Sequence, residues 1–210
     1  MDYDGDGSTR TGSTYLEPLA TAKQLADYSR GTITATDPRV GPLLDAVSRT
    51  IRRLCGWHIA PVIEETLTLD GPGGHLLELP TMRLLGVLSL TERRPTPYRP
   101  GTTAWQWDAD ALADLEWSPL GTIRRRSGVW TDMYRGIEVR VRHGFETAPD
   151  VAQVVCQVAA MALASPTGAI TEQAGGVSMH WGTTASGVAG GMSILDRDLA
   201  TIEPYLIRRP

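Results

Sequence analysis

Two stretches with a helical hydrophobic period flank a long stretch with a period of two. This α, then β, then α order constrains the fold more than any other feature of the chain. In the first stretch Val40, Leu43, Leu44, Val47, Ile51 and Leu54 recur at spacings of three and four, the pattern of an amphipathic helix. Asp37-Pro38 offers an N-cap with proline at the first helical position, and Gly56 a stop. Asp45, Arg49, Arg52 and Arg53 fall on the opposite face, so the apolar stripe must pack against something else. Upstream, Thr21 with Gln24 reads as a capping box for a short helix to about Arg30, ended by Gly31. Downstream, Pro149-Asp150 opens a second stripe of Val151, Val154, Val155, Val158, Ala159, Ala162 and Leu163, stopped by Pro166 and Gly168. That helix is almost uncharged after Asp150, which predicts a place at the centre of its domain or against neighbouring subunits.

Between these helices, from Pro61 to Gly144, short β segments at 64–69, 76–79, 84–91, 105–107, 114–117, 122–125 and 137–142 are each bounded by Gly or Pro. Their spacing predicts a small antiparallel sandwich or barrel, with Gly71-Pro72-Gly73-Gly74 as a hairpin turn. After the second helix, 173–193 is rich in Gly, Ser and Thr and reads as an extended arm or loop. A short helix capped by Ser193 and carrying Leu195, Leu199 and Ile202 follows. The expected class is α+β: a flexible tail over 1–15, a small helical bundle from 16–60 and 146–170, an antiparallel β domain inserted at 61–145, a long extended Gly-rich arm or loop over 171–192, and a C-terminal helix and tail over 193–210.

Charge narrows the function. A net charge of −4 excludes a protein that coats nucleic acid by electrostatics over its whole surface. Residues 61–120 hold nine acids against four bases, whereas 121–150 hold six bases against four acids, so the β region is polarised. The start Met1-Asp2-Tyr3-Asp4 carries no signal of secretion or organelle import. The most apolar stretch, 151–164, is interrupted by Gln153 and Gln157 and falls short of the roughly 20 residues of a membrane span. Cys55 and Cys156 each sit in an apolar helical pattern and read as two buried thiols.

Catalytic and metal signals are weak. Asp2-x-Asp4-x-Asp6-Gly7 copies half of a calcium loop, but Ser13 stands where the bidentate Glu belongs. No two of His58, His75, His143 and His180 stand at the close spacing of helical or finger-type zinc sites. No phosphate loop, dinucleotide fingerprint or nucleophile elbow occurs. Trp105, Trp107, Trp117 and Trp130 concentrate in the β region, with packing inside the sheet as their first role. Arg124-Arg125-Arg126 point alternately to two faces of a strand and make a poor single phosphate patch. The reading has no catalytic residue, no metal ligand and no cofactor.

The order of features resembles the head-to-tail adaptor (head-tail connector) proteins of tailed bacteriophages of actinobacteria. The likeness is carried by Arg52-Arg53-Leu54-Cys55-Gly56-Trp57-His58-Ile59, Glu65-Thr66-Leu67-Thr68-Leu69-Asp70-Gly71, Leu77-Glu78-Leu79-Pro80-Thr81, Trp117-Ser118-Pro119-Leu120-Gly121, Val141-Arg142-His143-Gly144-Phe145, Pro149-Asp150-Val151 and Asp196-Arg197-Asp198-Leu199. It spans about residues 16 to 210 and implies a virion protein without enzymatic activity, located at the head-tail interface. Copies would assemble into a ring, dodecameric where it is known, beneath the portal protein, present a surface to a neck or tail-completion protein, and continue the DNA channel. A neck stopper, a tail terminator or a small hydrolase are the competing readings.

On the ring reading, Val151, Val154, Val155 and Val158 are the candidate subunit interface. A channel that releases DNA should be acidic or neutral, which makes Asp108, Asp110, Asp114 and Glu116 the candidate lining. Tyr205, Leu206, Ile207, Arg208 and Arg209 form an apolar segment closed by two cations, the candidate portal-docking tail. The alternative for Tyr205 to Ile207 is packing onto the subunit's own bundle.

Overall fold

The computed structural model describes residues 9–10, 16–96, 102–113, 115–164, 171–174, 177–180, 194 and 196–207. Thr21 caps the first helix as expected: its hydroxyl accepts from Gln24 N at 3.2 Å, and Gln24 Oε1 accepts from Thr21 N at 2.7 Å. Helix α1 runs Ala22–Tyr28, its first amides satisfied reciprocally. Gly31, at φ +80°, closes the end by donating its N–H to Ala26 O, a left-handed conformation suited to glycine.

Helix α2 runs Val40–Cys55 and starts later than the Asp37-Pro38 signal suggested. The Asp37 carboxylate instead accepts from Arg39 N and from the Arg39 guanidinium at 2.7 Å, and this side-chain hydrogen bond holds its carboxyl down at about 2. Asp37 O then accepts the N–H of Val40. Val40, Leu44, Val47 and Ile51 are buried as the stripe required, but Leu54 is exposed. Arg52, expected on the polar face, is buried because its guanidinium donates to the carbonyls of Leu16 and Glu17.

The chain divides into two units. The helical unit comprises 16–55 and the described residues of 148–206. Helix α4 (Pro149–Ala164) contacts α1, α2 and α5 (Asp196–Ile202) within it. In the stretch expected as an extended arm, β9 (Thr171–Ala174) and β10 (Val177–His180) pair antiparallel; the rest of 171–192 lies outside the described residues. In α5, Ile202 is buried but Leu199 is exposed, and Asp198 is buried instead, accepting from Gln157 Nε2 on α4 at 3.0 Å. Ser193 and Leu195 lie outside the described residues.

The β unit comprises 56–147 with Thr9–Arg10 and Ile207. One antiparallel sheet has the order β1-β2-β8-β4-β5, with β1 (Thr9–Arg10), β2 (Ile63–Leu69), β8 (Ile137–His143), β4 (Leu84–Pro95) and β5 (Thr102–Gln106). A second has the order β3-β7-β6, from Leu76–Glu78, Thr122–Arg124 and Glu116–Trp117. Leu67, Leu90, Val139 and Val141 from the first share one apolar core with Leu77 and Ile123 from the second. The tail expected to be free over 1–15 therefore contributes a strand, while Asp2, Asp4, Asp6 and Ser13 lie outside the described residues. Gly71 to Gly74 is no hairpin, because β2 and β3 belong to different sheets. The loop is strapped instead to 131–133, with Gly71 N donating to Met133 O and Gly73 N to Thr131 O; a Cβ at Gly71 would lie 2.0 Å from Thr131 O. A single-turn helix, α3 (Ala109–Ala113), interrupts the region read as strands, capped by Asp108, which accepts from Ala111 N at 2.8 Å.

Candidate functional site

The four valines proposed from sequence for the subunit interface are already covered within one chain. Val151, Val154, Val155 and Val158 are each at most 5% exposed, inside the bundle that α4 builds with α1, α2 and α5. Within a single copy the chain itself supplies their burial. An uncharged helix has two physical solutions, a domain centre or a subunit contact, and here the domain centre holds. Both thiols share this bundle: burial pushes Cys55 up to about 12 and Cys156 to about 11. At pH 8 both should label with a thiol reagent far more slowly in the native chain than in denaturant, since the thiolate is the reactive form; equal rates would contradict the burial.

The candidate channel acids have mixed surroundings. Asp108 and Asp110 are exposed, Asp108 also serving as the cap of α3. Glu116 is a poor free charge, since Arg126 Nε lies 2.9 Å from one carboxylate oxygen and Arg124 3.8 Å from the other. Asp114 lies outside the described residues. At the C-terminal segment Tyr205 donates its hydroxyl to Asp150 at 2.8 Å, and Leu206 and Ile207 are half-buried. Burial first, and the Asp150 carboxylate second, push the phenol up to about 12. A wholly free tail is thus not what begins at Tyr205; Arg208 and Arg209 lie outside the described residues. Tyr205→Phe should lower thermal stability by about 1 kcal/mol, the value of one such bond, as read by denaturant titration; an unchanged midpoint would mean that water replaces the bond.

Sequence reasoning missed a stacked aromatic–arginine arrangement on the β unit. Arg125, the middle of the three arginines, turns away from Glu116 as strand alternation requires. Its guanidinium lies 4.9 Å from the Trp107 ring centroid and 5.6 Å from that of Trp130, within cation–π range. It also reaches Glu92 Oε2 at 3.3 Å, and Arg94 reaches the same oxygen at 2.6 Å. Glu92 is fully buried, and its other oxygen accepts from Thr131 N at 2.7 Å. Arg94 in turn lies over Trp105, which is 56% exposed. Arg94, Trp105, Trp107, Arg125 and Arg126 line a groove of about 230 Å³. The clustering of tryptophans was the signal available in the sequence; their arginine partners come from strands that no local spacing connects.

A second cluster also escaped the sequence. His58, in the loop after α2, Glu65 on β2 and His143 at the end of β8 each place one potential ligand atom within 4.8 Å of the other two. Both histidines are fully buried, with ring centroids 4.4 Å apart. His58 Nε2 lies 2.8 Å from Pro61 O, and His143 Nε2 lies 3.2 Å from Glu65 Oε2.

No protein-family model matches the sequence, and no curated protein is similar to it. Among solved structures the fold is similar to a chain from the neck of an empty GTA (gene transfer agent) particle computed with C6 symmetry: the TM-score is 0.58 at 16% identity, covering 96% of this chain and 97% of that one. It is also similar to a chain from the neck of a native GTA particle computed with C12 symmetry, with a TM-score of 0.53, 15% identity and the same coverage of both chains. The chain therefore has the α+β fold of these phage-like neck chains over almost its whole length.

Proposed function

We propose that the chain is a structural neck protein of a tailed-phage-like particle. It forms the ring of a head-to-tail adaptor between the portal and the tail and continues the DNA channel, without enzymatic activity. The observation that carries this reading is the fold shared with neck chains over 96% of the sequence. Their six- and twelve-fold symmetries support a ring here, which we take as twelve copies beneath a portal.

The surface of the β unit suits such a role. Trp105, Trp117, Leu120, Val129 and Tyr134 are exposed large hydrophobic side chains of this unit. Aromatic residues and arginine are the types enriched where proteins meet, so these exposed side chains, with Arg94 over Trp105, are better candidates than the buried α4 valines for contact with neighbouring copies or the next neck protein. Asp108, Asp110 and Asp114 remain the proposed lining of the channel, and the segment from Tyr205 through Arg209 the proposed contact with the portal. No helix among the described residues is long and apolar enough to cross a membrane, and the proposed location is the virion neck.

The test is binding to portal. Mixed with purified portal, the chain should co-sediment and appear as an added ring in negative-stain images, and a chain ending at Ile202 should lose binding while remaining folded. Binding to a tail-tube end instead would point to a tail terminator and overturn the adaptor reading.

A further inference from the structure

We propose that His58, Glu65 and His143 form a binding site for a divalent transition-metal ion, with zinc as the first choice. The donor set is two imidazoles and one carboxylate, which suits zinc and its neighbours rather than calcium or magnesium. The three arrive from separate places yet converge. Ile63 pairs with His143 across β2 and β8, so Glu65 is the diagonal neighbour of His143 on the same sheet face.

Three observations point to a ligand. First, the two imidazoles are fully buried, and each brings one potential ligand atom within 4.8 Å of the other's and of a Glu65 carboxylate oxygen, a concentration of buried polar atoms that costs free energy unless something completes it. Second, the 3.2 Å between His143 Nε2 and Glu65 Oε2 is close to the separation of two donors on one tetrahedral ion, about 3.4 Å for bonds of about 2.1 Å. Third, Pro61 O can only accept, so His58 Nε2 carries its proton and the lone pair sits on Nδ1. A ligand histidine commonly donates its other N–H to a backbone carbonyl in this way.

The backbone around the cluster is held in a costly shape that serves this convergence. Ile59 sits at φ +69°, unusual for a β-branched residue and characteristic of ligand clamps, with its carbonyl accepting from Phe145 N. Gly144, at φ +110°, packs so closely that a Cβ there would lie 2.5 Å from both His58 Nε2 and Pro61 O. An ion at this point takes one nitrogen from each ring and a carboxylate oxygen, displaces the proton between His143 and Glu65, and leaves a fourth position for water. It would clip the 58–61 loop to the ends of β2 and β8, all within the β unit.

The full chain, stripped with a chelator, is titrated with Zn²⁺ and, separately, with Co²⁺. About one ion per chain is expected, with a zinc-dependent rise in Tm and the visible absorption of four-coordinate Co²⁺. His143→Gln should abolish the Tm rise. Glu65→Gln, at a less buried position and nearly isosteric, should remain folded and weaken zinc binding at least about tenfold, which keeps the test decisive if the histidine variant fails to fold. A wild-type Tm unmoved by zinc, or wild-type zinc affinity in Glu65→Gln, would overturn the proposal and leave the cluster as a His143–Glu65 hydrogen-bonded pair beside the His58 ring.

Discussion

Val158→Asp is expected to unfold the helical unit of the isolated chain, whatever its state of assembly. Val158 is 1% exposed on α4, the helix that touches α1, α2 and α5. No cation lies on α4 itself, and Arg52 on α2 donates to the carbonyls of Leu16 and Glu17. Such a carboxyl stays neutral by raising its pKa, and each unit costs about 1.4 kcal/mol at neutral pH. Three units plus the lost valine packing bring the effect to about 5 kcal/mol, comparable to the whole stability of many domains. The pH dependence has a definite sign. A carboxyl whose folded pKa lies above its unfolded value penalises the fold fully above the folded pKa, and the penalty fades as pH falls towards the unfolded value near 4. Circular dichroism should therefore show lost helicity at pH 7 and partial recovery near pH 5. A folded monomer that merely fails to assemble would restore the α4 valines to a subunit interface.

Glu92→Ala should cost about 3 kcal/mol in the β unit. The carboxylate is fully buried and holds Arg94, Arg125 and Thr131 N at once. Removing one member of a buried ionic network strands the others, which typically costs 3–5 kcal/mol. Arg125 retains hydrogen bonds to Ser127 O and Val129 O and its cation–π contacts with both Trp107 and Trp130, which places the effect at the lower end. Denaturant titration followed by tryptophan fluorescence checks this directly, because Trp107 and Trp130 form the stack, with centroids 5.4 Å apart. A change below about 0.5 kcal/mol, the scale of exposed ion pairs, would show that solvent already reaches the network.

Local sequence signals located the elements well where a single physical rule decided them. The Thr21–Gln24 box, the α2 stripe and the alternation of Ile137, Val139 and Val141 are each set by neighbours a few residues away. What stayed hidden depends on long-range geometry. Asp37-Pro38 looked like a helix start, but the Arg39 pair captured the aspartate in a turn. Gly71 to Gly74 looked like a hairpin because sequence adjacency does not say that β2 and β3 enter different sheets. The uncharged α4 allowed two kinds of burial, and only the positions of α1, α2 and α5 decide between them. The histidine cluster joins residues 78 apart across β2 and β8, so a search for ligands at helical or finger spacing passes over it. The arginine triplet was legible in its alternation, while the burial of Glu92 was not, since nothing in Thr91-Glu92-Arg93-Arg94 marks one carboxylate for the interior.

The ring proposed for this chain at the junction of portal and tail should be visible in a cryo-EM reconstruction of the neck of the assembled particle. The expected map contains a closed ring of this chain, twelve copies directly beneath the portal, with the exposed Trp105 and Trp117 of the β unit in contact with a neighbouring copy or the next neck protein. Density for the chain elsewhere in the particle, or its absence from mature particles, would contradict the account.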